Sequence, residues 1–338
     1  MTGIVSRFLS AAVVGSAGPL WAGAPPNAAP GAGLLLVANK GDHTLSIVDP
    51  AASKQLAVVT LTGVTGHEVA ASPDGRFAYV PIYGNSGVGQ PGSNGDSIDV
   101  IDVRARRLVK KITLDRAVRP HCAVYGPDGL LYVTAELAHA IYVFNPKTMK
   151  RVASIPTEQK ESHMLAISSD GKRGYTANVG AGSVTALDIV NRRPLAVIHV
   201  SKQVQRISIT PDNRWVFTAD QTAPRLAVIS TRSNKLVRWT PVPAIAFGTR
   251  VTLDGRWLLA TLPGEDKIAV IDMRSMRVAR SVNVPKAPQE ILMRPDGRVA
   301  FISCDSSRNV AVLNLGNWRV EKLIRAGRND DGLAWAPA

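Results

Sequence analysis

Cysteine is nearly absent: two residues in 338, Cys122 and Cys304. Two thiols exclude a disulfide framework. Aromatics make up only 5% of the chain, few for the stacking platforms that bind single-stranded nucleic acid. There is no Cys-x-x-Cys-His, so a covalently attached haem is excluded. There is no Gly-x-Ser-x-Gly nucleophile elbow and no Gly-Lys-Ser/Thr phosphate loop. Beyond the first 31 residues no apolar run is long enough to span a membrane. No helical period of useful length appears. Acidic residues are also in the minority, 26 against 40 Lys and Arg, for a net charge of +14. That balance points toward anionic partners. Gly 28 and Pro 22 are plentiful instead, which suits short strands joined by tight turns.

Residues 1–31 differ from the rest. Arg7 is their only charge, followed by apolar Phe8–Val14 and an Ala/Gly/Pro-rich stretch. This reads as a secretory leader, with Ala22-Gly23-Ala24 as a small-residue cleavage pattern. The expected location is periplasmic or secreted.

The remainder is a repeat. Pro73-Asp74-Gly75 recurs as Pro127-Asp128-Gly129, Ser169-Asp170-Gly171, Pro211-Asp212-Asn213, Leu253-Asp254-Gly255 and Pro295-Asp296-Gly297. Successive third positions differ by 54, 42, 42, 42 and 42. Short runs rich in Val, Ile and Tyr flank each turn, and a third run ends in Asp, Asn or Ser, as in Val100-Ile101-Asp102. Such runs, bounded by turn residues, are strands. Four strands in about 42 residues make a propeller blade. Lettered A to D from the axis outward, the chain starts on strand B (Leu34–Ala38) and ends on a lone strand A (Gly332–Trp335). Six complete repeats and this composite predict an all-β, seven-bladed propeller over residues 34–338. Joining the two ends removes an open sheet edge. The expected state is a monomer.

Tyr132-Val133-Thr134-Ala135 and Tyr175-Thr176-Ala177-Asn178 resemble the strand-B signature of the YVTN repeat family of seven-bladed propellers. Looser versions are Leu36-Val37-Ala38-Asn39 and Phe217-Thr218-Ala219-Asp220. The broader group is similar to YncE-like proteins, surface-layer propellers, lactonase-like propellers and the haem-d1 domain of nitrite reductases. The resemblance implies the fold strongly and the function weakly.

In such a ring the start of strand A lies at the axis, on the face that carries the B–C loops. The residue eight before each turn's third position is His67, His121, His163, Gln205, Phe247, Gln289 and, in the composite blade, Asp331. Three of the six histidines in the chain therefore share one register in adjacent blades. Neutral imidazoles bind transition metals, and they move protons near neutral pH. His67, His121 and His163 are thus candidate catalytic residues, or ligands of a divalent metal. Glu68, Glu290 and Asp331 are nearby carboxylates, Gln205 and Gln289 are polar candidates, and Arg206 and Arg250 are cations that could hold an anionic ligand. Glu136, Asn178, Asp220, Asp305 and Asn39 close strand B on the same face. The long first step arises from an insertion, Gly84–Gly95, expected between strands B and C of the second blade and beside His67. A Gly-rich loop there could be a lid.

Three functions follow. The first is a small-molecule or cell-envelope ligand bound at the His-lined mouth. The second is an enzyme, a lactone hydrolase, lyase or isomerase, using the His row. The third is an anionic polymer or nucleic acid bound through the basic surface. Of the 40 Lys and Arg, 20 fall in the A–B and C–D turns, on the opposite face. The charge is therefore largely a repeated solvated turn feature.

Overall fold

The computed structural model describes residues 32–338; the expected leader lies outside them. Seven four-stranded antiparallel sheets form a ring. Blade 1 pairs the C-terminal strand A (Asp330–Pro337) with B (Gly33–Asn39), C (Thr44–Asp49) and D (Lys54–Thr60), so the two ends close the ring in one sheet. Blades 2 to 7 follow in chain order, each A to D. Among the described residues there is no α-helix, only one 3-10 turn, Glu136–Ala138. None is long and apolar enough to cross a membrane.

The punctuation works as the residues dictate. In each A–B turn a carboxylate caps the following amide, as Asp74 Oδ1 accepts from Arg76 N at 3.1 Å. The third position is left-handed, with φ +67° at Gly75 and 59° at Asn213, which Gly and Asn tolerate best. A hydroxyl completes most of these turns, for example Ser72 to Asp74 and Thr252 to Asp254.

The core lies between blades. Leu36 and Ile47 of blade 1 pack with Val80 and Ile101 of blade 2, and the pattern repeats around the ring. Strands B and C are buried on both faces, whereas strand D contributes a single buried apolar residue in most blades: Val59, Ile112, Ile155, Ile198, Val282 and Ile324. A large-to-Ala change at such a position costs roughly 2–5 kcal/mol. One strand is shorter than its sequence suggests. The run Glu68–Ala71 forms only Ala70–Ala71, beside Pro81 in the neighbouring strand, which has no N–H for the ladder.

Candidate functional site

Strand A carries a bulge where it meets the axis. Pairing slips between Pro120 and Ala123, Ser162 and Met164, Gln205 and Ile207, and Pro288 and Ile291. The extra residue re-aims the strand. It lets two successive side chains approach the axis, which explains why Arg206 and Glu290 join the residues of the predicted register; Glu68 joins them from the segment before Ala70–Ala71. A strand-B hydroxyl fills the gap in the ladder. Thr134 Oγ1 accepts from Cys122 N at 2.8 Å, Ser303 Oγ accepts from Glu290 N at 3.0 Å, and Thr218 Oγ1 donates to Arg206 O at 2.7 Å. The hydroxyl position of the strand-B signature is thus a bulge filler. Its terminal Asn is structural too: Asn178 bonds Ser162, Thr176, Ser183 and Thr185.

The three register histidines come together. The His121 and His163 rings stack with centroids 3.5 Å apart, and His67 lies 4.9 Å from His121. Tyr83, immediately before the insertion, adds its ring 4.9 Å from His67 and 5.4 Å from His121. His163 Nδ1 pairs with Glu136, and Tyr83 Oη donates to the other oxygen of that carboxylate at 2.7 Å. His121 is 2% exposed, and neither ring nitrogen has a hydrogen-bond partner. Burial, reinforced by the neighbouring histidines, pushes its imidazole well below the usual range. Burial also lowers His67 to about 3, against the pull of Asp331. Both rings are therefore neutral near pH 7.

The other half of the mouth is an ion cluster. Arg206 reaches across the axis to Asp331, to Glu68 at 3.0 Å and to Glu290 at 3.3 Å. Only Asp331 is aligned as a hydrogen-bond acceptor. Lys40 bridges Asp331 at 3.1 Å and Asp305 at 3.3 Å. Asp331 is held well below the carboxylate range because Lys40 and Arg206 outweigh its burial. Glu68 is raised instead, by burial and by Glu290 and Asp331, which Arg206 does not fully offset.

Arg206 is consequently not the open cation that the sequence suggests; three carboxylates already surround it. Arg250 sits 3.6 Å from Glu290 and bonds Ile291 O. Gln205 and Gln289 make only local bonds, and Phe247 lies under the Arg206 guanidinium at 5.5 Å. Asp220 holds Arg225 at 2.9 Å, away from the cluster. Cys122 and Cys304 are buried and free, with thiols pushed up by burial. Three participants escape the sequence reading: Tyr83, Lys40 and Arg119. Tyr83 and Arg119 lie outside the aligned register, and their arrival depends on how the insertion folds over it.

The insertion lies beside the strand-A starts that carry the His row. Arg119 ties it down through Asn94 Oδ1 at 2.6 Å and Gln90 O at 2.8 Å. At Gly89 it packs on Glu161 of the segment leading to blade 4. It therefore spans the starts of blades 2, 3 and 4, which carry the three histidines. Two open clefts lie elsewhere: about 470 Å³ beside Asp115 and Arg151, and about 940 Å³ beside Trp257 and Trp318.

Residues 31–238 match the family described as Cytochrome D1 heme domain. Among solved structures the chain is similar to Kuenenia stuttgartiensis hydrazine synthase, with a TM-score of 0.73 and 22% identity over 85% of this chain and 94% of that one. A functionally unknown protein from Desulfotomaculum acetoxidans gives a TM-score of 0.74 at 14% identity, over 90% and 99%. These likenesses concern the fold. No curated protein matches the chain.

The family match corrects the cofactor expectation. A divalent metal is set aside in favour of haem, the group for which the matching family is described. Among the described residues no three His, Cys, Asp or Glu are arranged to hold an ion. The missing Cys-x-x-Cys-His bears only on covalent attachment and leaves a haem held without it open.

Proposed function

Because the chain belongs to the Cytochrome D1 heme domain family, we propose that it is a haem-binding propeller of the cell envelope, loaded on its His face. The observation that carries this is His121, a buried imidazole whose two nitrogens have no partner. A buried polar group without a hydrogen bond is costly, and a neutral imidazole is a standard haem-iron ligand. The donor chemistry therefore fits. His67, His121, His163 and Tyr83 pack on one another, so no slot lies between them. A macrocycle would therefore have to sit outside the row, and on the side where Arg119 holds the 84–95 loop it would require that loop to move.

A bound haem would supply an iron centre tuned by its axial ligand and surroundings. The chain's own residues do the rest. His163 holds the His121 ring by stacking, and Glu136, itself held by Tyr83, orients His163. The loop excludes water from the row. The leader-like sequence of residues 1–31 supports export, and the strand-B motifs support a YVTN-type propeller. Titration with ferric protoporphyrin, read by absorbance, tests the proposal. Saturable binding that His121→Ala weakens at least about tenfold is expected. Identical titrations with a folded His121→Ala protein overturn it.

One observation favours a second reading, acid–base catalysis. Glu136 occupies Nδ1 of His163, leaving Nε2 to move a proton. A lactone panel tests this: turnover lost in His163→Gln supports it, and equal background in both proteins refutes it.

A further inference from the structure

Arg119 stands two residues before His121, is 6% exposed, and has a left-handed backbone with φ 52°. Its guanidinium donates to Asn94 Oδ1 at 2.6 Å, to Gln90 O at 2.8 Å and to Gly87 O at 3.5 Å, and it lies over the Tyr83 ring at 5.8 Å. All three acceptors are neutral, and all three belong to the insertion. Among the described residues no carboxylate oxygen comes within 4.0 Å of this side chain. The contrast with Arg206, which faces three carboxylates, is direct. A buried cation without an anion is expensive, and carbonyl oxygens satisfy a guanidinium less well than a bidentate carboxylate does.

The loop that supplies those oxygens is built to leave. Its base is pinned: a Cβ at Gly84 or Gly95 would meet backbone atoms at 2.1 and 1.7 Å. Gly95 N also donates to Tyr83 O at 2.7 Å. Its tip is closed on itself by Ser93 N to Asn85 Oδ1 at 2.6 Å. Among the described residues, the hydrogen bonds that join 85–94 to the rest of the protein all come from Arg119. One side chain is at once the latch of the loop and the cation left without an anion above the His row.

We propose that the His face selects a carboxylate-bearing ligand through Arg119, and that the carboxylate replaces the loop oxygens and so releases the loop. This rests on the reading above that the ligand loads on this face, but it does not require the ligand to be haem. The carboxylate could belong to a macrocycle or to a free small acid.

The test uses the full chain and three probes: metal-free protoporphyrin, its dimethyl ester, and succinate. Binding is measured by fluorescence or calorimetry, and loop release by hydrogen exchange of the 84–95 amides. Protoporphyrin should bind at least about tenfold more tightly than the ester, the scale of one lost charged hydrogen-bond pair. Binding should also raise exchange in 84–95. Arg119→Gln should erase the acid-over-ester preference and give fast loop exchange without ligand, with Arg119→Lys intermediate. Equal binding of acid and ester overturns this proposal while leaving a haem site standing. Arg119-dependent succinate binding with neither porphyrin bound upholds it, and the haem reading is then decided by the ferric titration above. No binding of any carboxylate probe overturns this proposal, whereas only a failed ferric titration overturns the haem reading. The acid-against-ester comparison needs only wild-type protein, so it decides even if the variants fail to fold.

Discussion

Replacing Arg206 with Met is the most informative single change for the architecture of the mouth. Arg206 contacts Asp331 of blade 1, Glu68 at 3.0 Å from blade 2 and Glu290 at 3.3 Å from blade 7, although it stems from blade 5. It is a tie across the ring. Glu68 and Asp331 are each 4% exposed, so removing the cation leaves acids in a poorly solvated site. Breaking a buried pair in this way costs about 3–5 kcal/mol. The direction with pH is fixed by Asp331. Lys40 and Arg206 hold its carboxyl below the usual range, so its stabilising contribution is present above the unfolded carboxylate range. It is lost as pH falls through the depressed native value. Arg206→Met gives up much of that contribution. Its deficit should be full near pH 7 and should narrow toward pH 4, where the remaining acids take up protons. Urea unfolding followed by tryptophan fluorescence at both pH values measures this. A variant within about 1 kcal/mol of wild type at pH 7, the scale of a solvated pair, refutes the reasoning. So does a deficit that widens in acid.

Asp330 gives a second pH dependence of opposite sign. Burial raises its carboxyl to about 7, while Cys304 N donates to one oxygen at 2.8 Å. The native state therefore keeps a proton that the unfolded chain loses near pH 4, and stability should fall between those values by on the order of 4 kcal/mol. Asp330→Asn should flatten that slope, and parallel pH–stability curves for the two proteins would contradict it. Thr218→Val removes the hydroxyl that donates to Gln205 O and Arg206 O, for a loss of about 1–2 kcal/mol in urea unfolding; a neutral result would deny the bulge-filling role. Cys122 and Cys304 should label with a thiol reagent only at the rate of unfolding. Immediate modification of either would contradict their burial.

The blades were legible because their signals are local and repeated. The turns, the strand runs and the 42-residue step each belong to one short segment, and their repetition averages out the noise of any one copy. Ring closure followed from the leftover strand at each end. The His row was legible because register is a count along the chain. The site's finer wiring was not, since it depends on bulges, and a bulge is a one-residue slip that the turn spacing does not record. That slip brings Arg206 across the axis into three carboxylates, where the sequence suggested an open cation. Arg119 escaped notice because its role depends on an insertion without a counterpart in the other blades. The short strand A of blade 2 was not anticipated either; it lies beside Pro81, which has no N–H for the ladder.

The account stands on what occupies the His face. The most direct measurement is a density map of the protein crystallised with ferric protoporphyrin. The account predicts difference density over the His row with an imidazole nitrogen of His121 at the iron, a carboxylate against Arg119, and the 84–95 loop displaced. A map in which that loop is still latched by Arg119, with the porphyrin absent or bound elsewhere, would contradict it.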